Sequence, residues 1–144
     1  MRDQYQPVCR SRIRSRLLSN LPELPEVETV RRGLEKLVKG FYIHKLQVLK
    51  ERTIASNGGS EEFVNSLRGY FIGEWKRKGK YLIGSITTKD LKKVGWLGIH
   101  LRMTGQFKVI TKGKNYCKHT RVRFLNKEGF ELRFIDVRNF GQMW

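Results

Sequence analysis

The stretch PELPEVETVRRGLEKLVKG, residues 22–40, contains the clearest secondary-structure pattern in the chain. Its apolar residues recur mostly at steps of three and four, and they are Val27, Val30, Leu34, Leu37 and Val38. That spacing indicates one face of an amphipathic helix. Pro25 suits the first turn, Glu26 suits the positive end of the helix dipole, and Gly40 suits the C-terminal stop. The sequence therefore predicts a helix over residues 25–39.

Beyond this helix the pattern changes to short segments rich in aromatic and β-branched residues. These segments are 41–49, 70–76, 80–87, 94–102, 105–111, 119–125 and 130–135. A short helix around residues 61–67 interrupts them, and residues 77–79 and 126–129 are typical of hairpin turns. The pattern predicts an α+β fold: a mostly antiparallel β-sandwich or flattened barrel with the N-terminal amphipathic helix packed on it.

The charge of the chain points to a polyanionic partner. Thirty Lys and Arg residues stand against 13 Asp and Glu residues, which gives a formal net charge of +17. Solubility alone needs a net charge of only about 2–8 on a small domain. Nucleic acid is therefore the leading class of partner.

Residues 1–20 differ from the rest, with five arginines, one aspartate and no apolar stretch long enough for a secretory signal. Residues 22–144 still hold 25 basic and 12 acidic residues, a net charge of +13, so the basic character belongs to the domain. An Arg- and Ser-rich leader is compatible with an organelle transit peptide, a flexible basic arm or translated sequence upstream of the true start.

Several common kinds of site have no support in the sequence. The two cysteines, Cys9 and Cys117, lie outside any CxxC spacing and cannot build a four-thiolate zinc site. Three scattered histidines form no metal-ligand cluster or Ser-His-Asp order, and no glycine loop suited to phosphate is present. No apolar run approaches the roughly 18 residues of a membrane span. We therefore expect no bound metal and no membrane partner.

Residues 22–34, PELPEVETVRRGL, resemble the amino terminus of bacterial formamidopyrimidine-DNA glycosylases, where the motif directly follows the initiator methionine. Four later motifs resemble the same family in the same order: GKYL at 79–82, HLRMTG at 100–105, KH at 118–119 and DVRNFG at 136–141. Leu24 is more similar to this family than to its endonuclease VIII relatives, which usually carry glycine there. The resemblance spans most of residues 22–144 and indicates the N-terminal catalytic domain of such an enzyme.

The resemblance implies a catalytic group at the start of the first helix. Pro22 would attack C1′ of the damaged nucleotide as a free terminal amine and form a Schiff base. An α-amino group titrates at about 7.7–8.0, and a helix N-terminus disfavours its charged form further. Glu23 would act as general acid and base at the sugar ring oxygen. Glu26 would orient groups around the amine, and a favourable charge at the helix N-terminus is its alternative role. Lys80 would reach the damaged nucleotide and its phosphate, and an ordinary solvated lysine is the alternative.

The resemblance also implies the DNA contacts. Met103, Arg138 and Phe140 match the side chains that fill the gap left when the lesion nucleotide leaves the stack. A core position is the alternative for Met103 and Phe140, but neighbouring glycines and polar residues favour exposed loop tips. His100 and His119 resemble phosphate contacts, with a structural histidine as the alternative for each. Arg102 would add a backbone contact, and so would Lys118.

Two features depart from the family pattern. Its members continue into a helix-two-turn-helix domain and a four-cysteine zinc finger, whereas this chain stops at Trp144, so we expect a truncated chain without that metal site. Its nucleophile must also be a free terminus, yet 21 residues precede Pro22. We predict that residues 1–21 are not in the mature enzyme, either because Leu21 marks an alternative start or because a transit peptide is cleaved.

The sequence thus predicts a monomeric DNA repair glycosylase with AP lyase activity that acts on oxidised purines in damaged double-stranded DNA. The expected location is the bacterial cytoplasm and nucleoid, or an organelle if the leader is a transit peptide. The alternatives are a non-catalytic duplex-binding remnant of such an enzyme and, on charge alone, a basic β domain that binds RNA.

Overall fold

The computed structural model of the protein describes residues 24–111 and 115–144. Helix α1 spans Leu24–Val38, which shifts the predicted helix by one residue at each end. Val27, Leu34 and Val38 are buried on its inner face, as the periodicity predicts. Leu37, which the sequence assigns to the same stripe, is 63% exposed and lies outside that face.

Nine strands and one further α-helix follow in the described part of the chain. The elements are β1 (Phe41–Tyr42), β2 (Lys45–Val48), a 3-10 turn (Glu51–Thr53), α2 (Gly59–Leu67), β3 (Phe71–Lys78), β4 (Tyr81–Thr87), β5 (Lys93–His100), β6 (Gly105–Thr111), β7 (Thr120–Leu125), β8 (Phe130–Asp136) and β9 (Gln142–Met143).

The strands form two sheets, one of five strands in the order β1-β3-β4-β5-β9 and one of four in the order β2-β7-β8-β6. Every ladder between these strands is antiparallel. The sheets face each other, since the ring of Trp75 on β3 lies 6.4 Å from that of Phe107 on β6. The predicted α+β fold with a helix packed on antiparallel sheets is confirmed.

The predicted strand over residues 41–49 is wrong in one respect, because the chain changes sheets within it. β1 pairs with β3 of the first sheet, and β2 pairs with β7 of the second. Ile43, fully buried between them, bonds through its backbone to Gly69 and Tyr70 instead. An unbroken apolar pattern cannot reveal this crossing, because it depends on partners far along the chain. Strand β9, two residues long, was not predicted for a similar reason.

Candidate functional site

The site begins at helix α1. Pro22 and Glu23 lie outside the described residues, so their predicted roles remain predictions. Glu26 lies in the first turn of the helix, and its Oε1 atom is buried without a hydrogen-bond partner. This oxygen can accept a hydrogen bond from a group brought to the start of the helix. Glu26 makes no hydrogen bond to the other site residues in the described part of the chain.

An ion pair ties helix α1 to the β3–β4 hairpin that carries Lys80. Arg77 Nε lies 3.0 Å from Glu28 Oε1. The same guanidinium donates through Nη1 to the carbonyl of Gly79 at 3.2 Å. Hydrogen bonds from arginines, that of Arg31 first and that of Arg77 next, lower the pKa of Glu28 to about 2. The exposed Lys80 is thus held on a hairpin whose position relative to the helix is set by charge-assisted hydrogen bonds.

Sequence reasoning missed this tie. It gave Glu28 no partner and treated residues 77–79 only as a hairpin turn. The two partners are 49 positions apart, so only the folded structure brings them together.

His100 stands beside the same hairpin. It pairs with Tyr81 across β4 and β5, and the two rings meet edge to face with centroids 4.7 Å apart. The backbone N–H of Arg102 donates to His100 Nδ1 at 3.1 Å, which leaves Nε2 as the protonated nitrogen of the neutral ring. Burial, followed by the positive charges of Arg102 and Lys80, lowers the pKa of His100 below 6.5. At neutral pH, His100 therefore offers a neutral Nε2–H donor.

We expect a glutamine at position 100 to replace this donor, because its terminal amide reaches a similar point. His100→Gln should keep DNA affinity within about threefold of the parent, whereas His100→Ala should weaken it about tenfold or more. Fluorescence anisotropy with a duplex at fixed salt measures both. Because the pKa of His100 lies below its ordinary value, the ring gains charge only on the acid side and this contact adds no pH dependence above pH 7. A gain in affinity between pH 8 and pH 7 that disappears in His100→Gln would contradict a neutral donor.

The three predicted gap-filling side chains lie on two neighbouring loops, one between β5 and β6 and the other between β8 and β9. Met103 is 38% exposed and Phe140 is 45% exposed, so both occupy loop tips and neither belongs to the core. Arg138 Nη1 lies 3.3 Å from Met103 Sδ, which brings the two loops into contact. The guanidinium of Arg52 lies 5.7 Å from the centre of the Phe140 ring. A flexible thioether, a guanidinium and an aromatic ring are thus presented together at the surface.

One buried carboxylate holds both loops. Asp136 is 1% exposed, and its Oδ1 accepts a hydrogen bond from the hydroxyl of Thr104 in the first loop. Its Oδ2 accepts the N–H of Gly141, at the end of the second loop, at 2.6 Å. The Thr104 oxygen in turn accepts the N–H of Arg138 at 3.1 Å. We refer to Asp136, Thr104 and Gly141 as the loop clamp.

The loop clamp is the second feature that sequence reasoning missed. The motif at residues 136–141 was recognised, but no role was given to its aspartate. A usable signal was present, because an acidic residue follows the apolar pair Phe134 and Ile135 at the end of strand β8, directly before the loop. Gly141 has its own steric reason: a Cβ there would lie 2.7 Å from Phe134 Cζ and 2.9 Å from Asp136 Oδ2.

His119 lies at the base of the same loops. Its carbonyl accepts the backbone N–H of Asp136 at 3.0 Å, and its ring is partly exposed. Burial first, and then the positive charges of Arg121 and Lys118, lower the pKa of this histidine. The neutral ring can donate one hydrogen bond, and the exposed Lys118 beside it provides a positive charge.

The predicted residues therefore form two groups joined by one short segment. Lys80, His100 and Arg102 lie at the end of the β4–β5 ladder. Met103, Arg138 and Phe140 lie on the loops. The structure thus places a hydrogen-bond donor and cations beside two exposed apolar side chains and a guanidinium.

The metal site of the family does not fit the residues of this chain. A four-cysteine zinc finger needs twice as many cysteines as the two in the sequence. Over residues 24–111 and 115–144, no group of three His, Cys, Asp or Glu residues could hold a metal ion. Within the same ranges, no helix has the length and apolar character needed to cross a membrane.

Comparison with known proteins agrees with this geometry. A formamidopyrimidine-DNA glycosylase from Prochlorococcus marinus (strain NATL2A) is 63% identical over 124 residues, which cover 86% of this chain and 44% of that protein. One from Rippkaea orientalis is 47% identical over 124 residues, with the same two coverages. The chain therefore spans about 44% of the length of these curated relatives.

Solved structures agree as well. The complex of Lactococcus lactis FPG (MutM) with a FAPY-dG containing DNA has a TM-score of 0.74 and 35% identity, covering 84% of this chain and 43% of that one. A structure of MutM in complex with carbocyclic 8-oxo-G containing DNA has the same TM-score and identity, with 84% and 42% covered. The family model described as the formamidopyrimidine-DNA glycosylase N-terminal domain matches residues 21–143. With most of its length matched, the chain belongs to the formamidopyrimidine-DNA glycosylase N-terminal domain family.

Proposed function

We propose that this chain is the catalytic half of a DNA glycosylase that excises oxidised purines such as 8-oxoguanine and formamidopyrimidines and then cleaves the strand as an AP lyase. The observation that carries the proposal is the pair of clamped loops, which present Met103, Arg138 and Phe140 beside the Lys80 and His100 edge. The names of the relatives and of the DNA complexes among the solved structures support the substrate class.

The DNA part of the mechanism follows from the exposed residues. Chemistry at C1′ requires the damaged nucleotide to leave the base stack, and the vacancy must be filled or the duplex closes again. Met103 and Phe140 are exposed apolar side chains that can enter the stack, and Arg138 can face the base left without a partner. The neutral Nε2–H of His100 and the ammonium of Lys80 can hold the phosphates next to the displaced nucleotide.

The chemical part depends on Pro22 as a free secondary amine. Its nitrogen would attack C1′, the bond from C1′ to the damaged base would break, and the base would leave with that electron pair. The resulting ammonium would lose its proton, and the nitrogen lone pair would then break the C1′–O4′ bond to give an iminium, while Glu23 would donate a proton to the departing ring oxygen. The iminium makes the neighbouring C2′ proton acidic, and its loss expels the 3′ phosphate and cleaves the strand. Glu26, with its buried unpaired oxygen, would orient the amine.

The proposal predicts base release that depends on the lesion. A chain that begins at Pro22 should bind a duplex holding one 8-oxoguanine or formamidopyrimidine at least tenfold more tightly than the undamaged duplex, and should release the modified base. Anisotropy measures the binding, and mass spectrometry measures the released base. Phe140→Ala should remove most of the lesion preference while leaving affinity for the undamaged duplex nearly unchanged, since only a displaced nucleotide needs the wedge.

The results separate the alternatives. Lesion-selective binding without base release would support the non-catalytic duplex-binding remnant. Tighter binding to RNA than to either duplex would support the basic RNA-binding domain. Equal affinity for damaged and undamaged duplexes, with no base release, would reject the proposed role of the two loops.

A further inference from the structure

The outer face of the five-stranded sheet carries an apolar groove that the excision mechanism does not use. The groove has a volume of about 570 Å³, and its lining residues are Lys76, Tyr81, Ile83, Trp96, Gly98 and Trp144. Three of these are large aromatic side chains left well exposed: Tyr81 by 42%, Trp96 by 50% and Trp144 by 40%. A cluster of exposed aromatic rings on one face of a small domain is typical of an interaction surface.

The strand register explains how the groove forms. Lys76 pairs with Ile83, and Ile83 pairs with Gly98 on the next strand. Gly98 in turn exchanges two backbone hydrogen bonds with Trp144, of 2.7 and 2.9 Å. These four residues therefore form one row across the sheet, and Gly98 has no side chain to fill the space between its neighbours. The backbone at Gly98 therefore forms the floor of the groove, and the rings of Tyr81 and Trp96 lie beside it.

The groove is rimmed by positive charge. The ammonium groups of Lys76 and Lys93 lie 5.9 Å and 5.2 Å from the centre of the Trp96 ring. Lys80 directly precedes Tyr81 at the other end of the groove. Lysines beside exposed aromatic rings favour a ligand that combines anionic groups with flat, unsaturated rings.

The groove also adjoins the proposed phosphate-binding edge. The ring of Tyr81 contacts the ring of Trp144 at 5.7 Å on one side and the ring of His100 at 4.7 Å on the other. Bases inside a duplex are stacked on one another and cannot offer their faces to these rings, whereas unpaired bases can. The volume lies within the ~300–1,000 Å³ of ordinary ligand pockets, which accommodates a nucleotide-sized group.

We propose that this groove is a second DNA-binding site, specific for single-stranded DNA. Unpaired bases stack on Trp96, Tyr81 and Trp144, and Lys76 and Lys93 contact the phosphates. The proposal goes beyond the excision reaction and does not require a free Pro22, so the 144-residue chain is the protein to test.

The test uses an oligothymidylate of about ten nucleotides, which is within the site sizes of known single-strand binders. Trp96→Ala should weaken its binding about tenfold, the effect expected for the loss of one stacked base, and Trp96→Phe should restore most of it. Quenching of tryptophan fluorescence and anisotropy of a labelled oligonucleotide measure the effect. The half-exposed position of Trp96 makes the variant safe for folding, and an unchanged urea midpoint checks this.

Two control variants make the test specific. Phe130→Ala removes a ring of similar exposure, 44%, from strand β8 of the other sheet and should leave oligothymidylate binding unchanged. Phe140→Ala should weaken binding to the lesion duplex and leave oligothymidylate binding unchanged, while Trp96→Ala should do the reverse. This opposite pattern keeps a failure of the groove distinct from a failure of the proposed excision function.

Two results would overturn the proposal. One is binding of oligothymidylate by Trp96→Ala within twofold of the parent chain. The other is a dimer in sedimentation experiments without DNA that Trp96→Ala dissociates, because the groove would then be covered by a second copy of the chain.

Discussion

Borohydride will trap a protein that begins at Pro22 on a lesion-containing duplex, and it will not trap the chain with 21 residues before that proline. A free terminal proline is a secondary amine, titrates at about 7.7–8.0 and can form the iminium that borohydride reduces. Inside the chain the same nitrogen belongs to a tertiary amide and has no lone pair available for attack. The expected difference is between a clear covalent band on a denaturing gel and none, at equal DNA occupancy.

The best control differs from the active protein by a single residue. A form that begins at Leu21 keeps the helix, the hairpin and the loops but converts the proline nitrogen into an amide. It should bind the duplex as well as the Pro22 form and give no adduct. An adduct of equal yield from the Leu21 form would show that another amine can attack, either the α-amino group of Leu21 or a lysine. Lys80, exposed on the hairpin next to His100, is then the first candidate among the lysines, and Lys80→Arg would test it.

The helix shows how far local sequence patterns reach in this protein. Its bounds follow from the spacing of apolar residues and from the residues at its ends, and they came within one position of the structure. The same reasoning placed Leu37 on the inner face, where it does not lie. Periodicity defines a stripe, but the neighbouring elements decide how wide the covered part of the stripe is.

Features that depend on distant partners were not predictable in this way. The change of sheet at Ile43 requires β1 and β2 to find different partners, β3 and β7. The pair formed by Glu28 and Arg77 joins helix and hairpin across 49 positions. Each residue alone is typical of an exposed charge, and only the fold turns the pair into a connection.

In the candidate site, too, the residue types could be named from the sequence, whereas the contacts between them could not. Its residues were named from resemblance to a family, because nothing in composition or spacing assigns an attacking role to a proline or a wedge role to Phe140. The structure then added what a motif cannot contain: the tautomer of His100, the contact between Met103 and Arg138, and the role of Asp136. Pro22 and Glu23 lie outside the described residues, so their roles depend on the trapping experiment.

Asp136→Asn should weaken both the fold and the grip on lesion DNA. The carboxylate accepts one hydrogen bond on each oxygen, from the Thr104 hydroxyl and from the Gly141 N–H. An asparagine of the same shape can accept only one of them and turns its own N–H₂ toward the other donor. Hydrogen bonds to charged groups contribute about 1.5–3 kcal/mol, so we expect the free energy of unfolding to fall by about 2–3 kcal/mol. Urea unfolding measures the change.

The effect on DNA should exceed what lost stability alone would cause. With one loop released, Met103 and Arg138 no longer share a fixed position, and affinity for the lesion duplex should fall about tenfold or more at temperatures where the variant is still folded. Affinity for oligothymidylate, which we assign to the groove on the outer face of the five-stranded sheet, should not change. A parallel fall in both affinities would show general loss of structure instead of a released loop.

Thr104 supplies the matched pair if Asp136→Asn is too unstable to study. Thr104→Ser keeps the hydroxyl that joins Asp136 to the N–H of Arg138, and Thr104→Val keeps the size but removes both hydrogen bonds. Only the valine variant should lose lesion preference, because the oxygen and not the bulk of the side chain connects the two loops. If valine and serine behave alike, the Thr104 hydroxyl is dispensable, and the loops are positioned by the bond between Gly141 and Asp136 and by packing against Phe134.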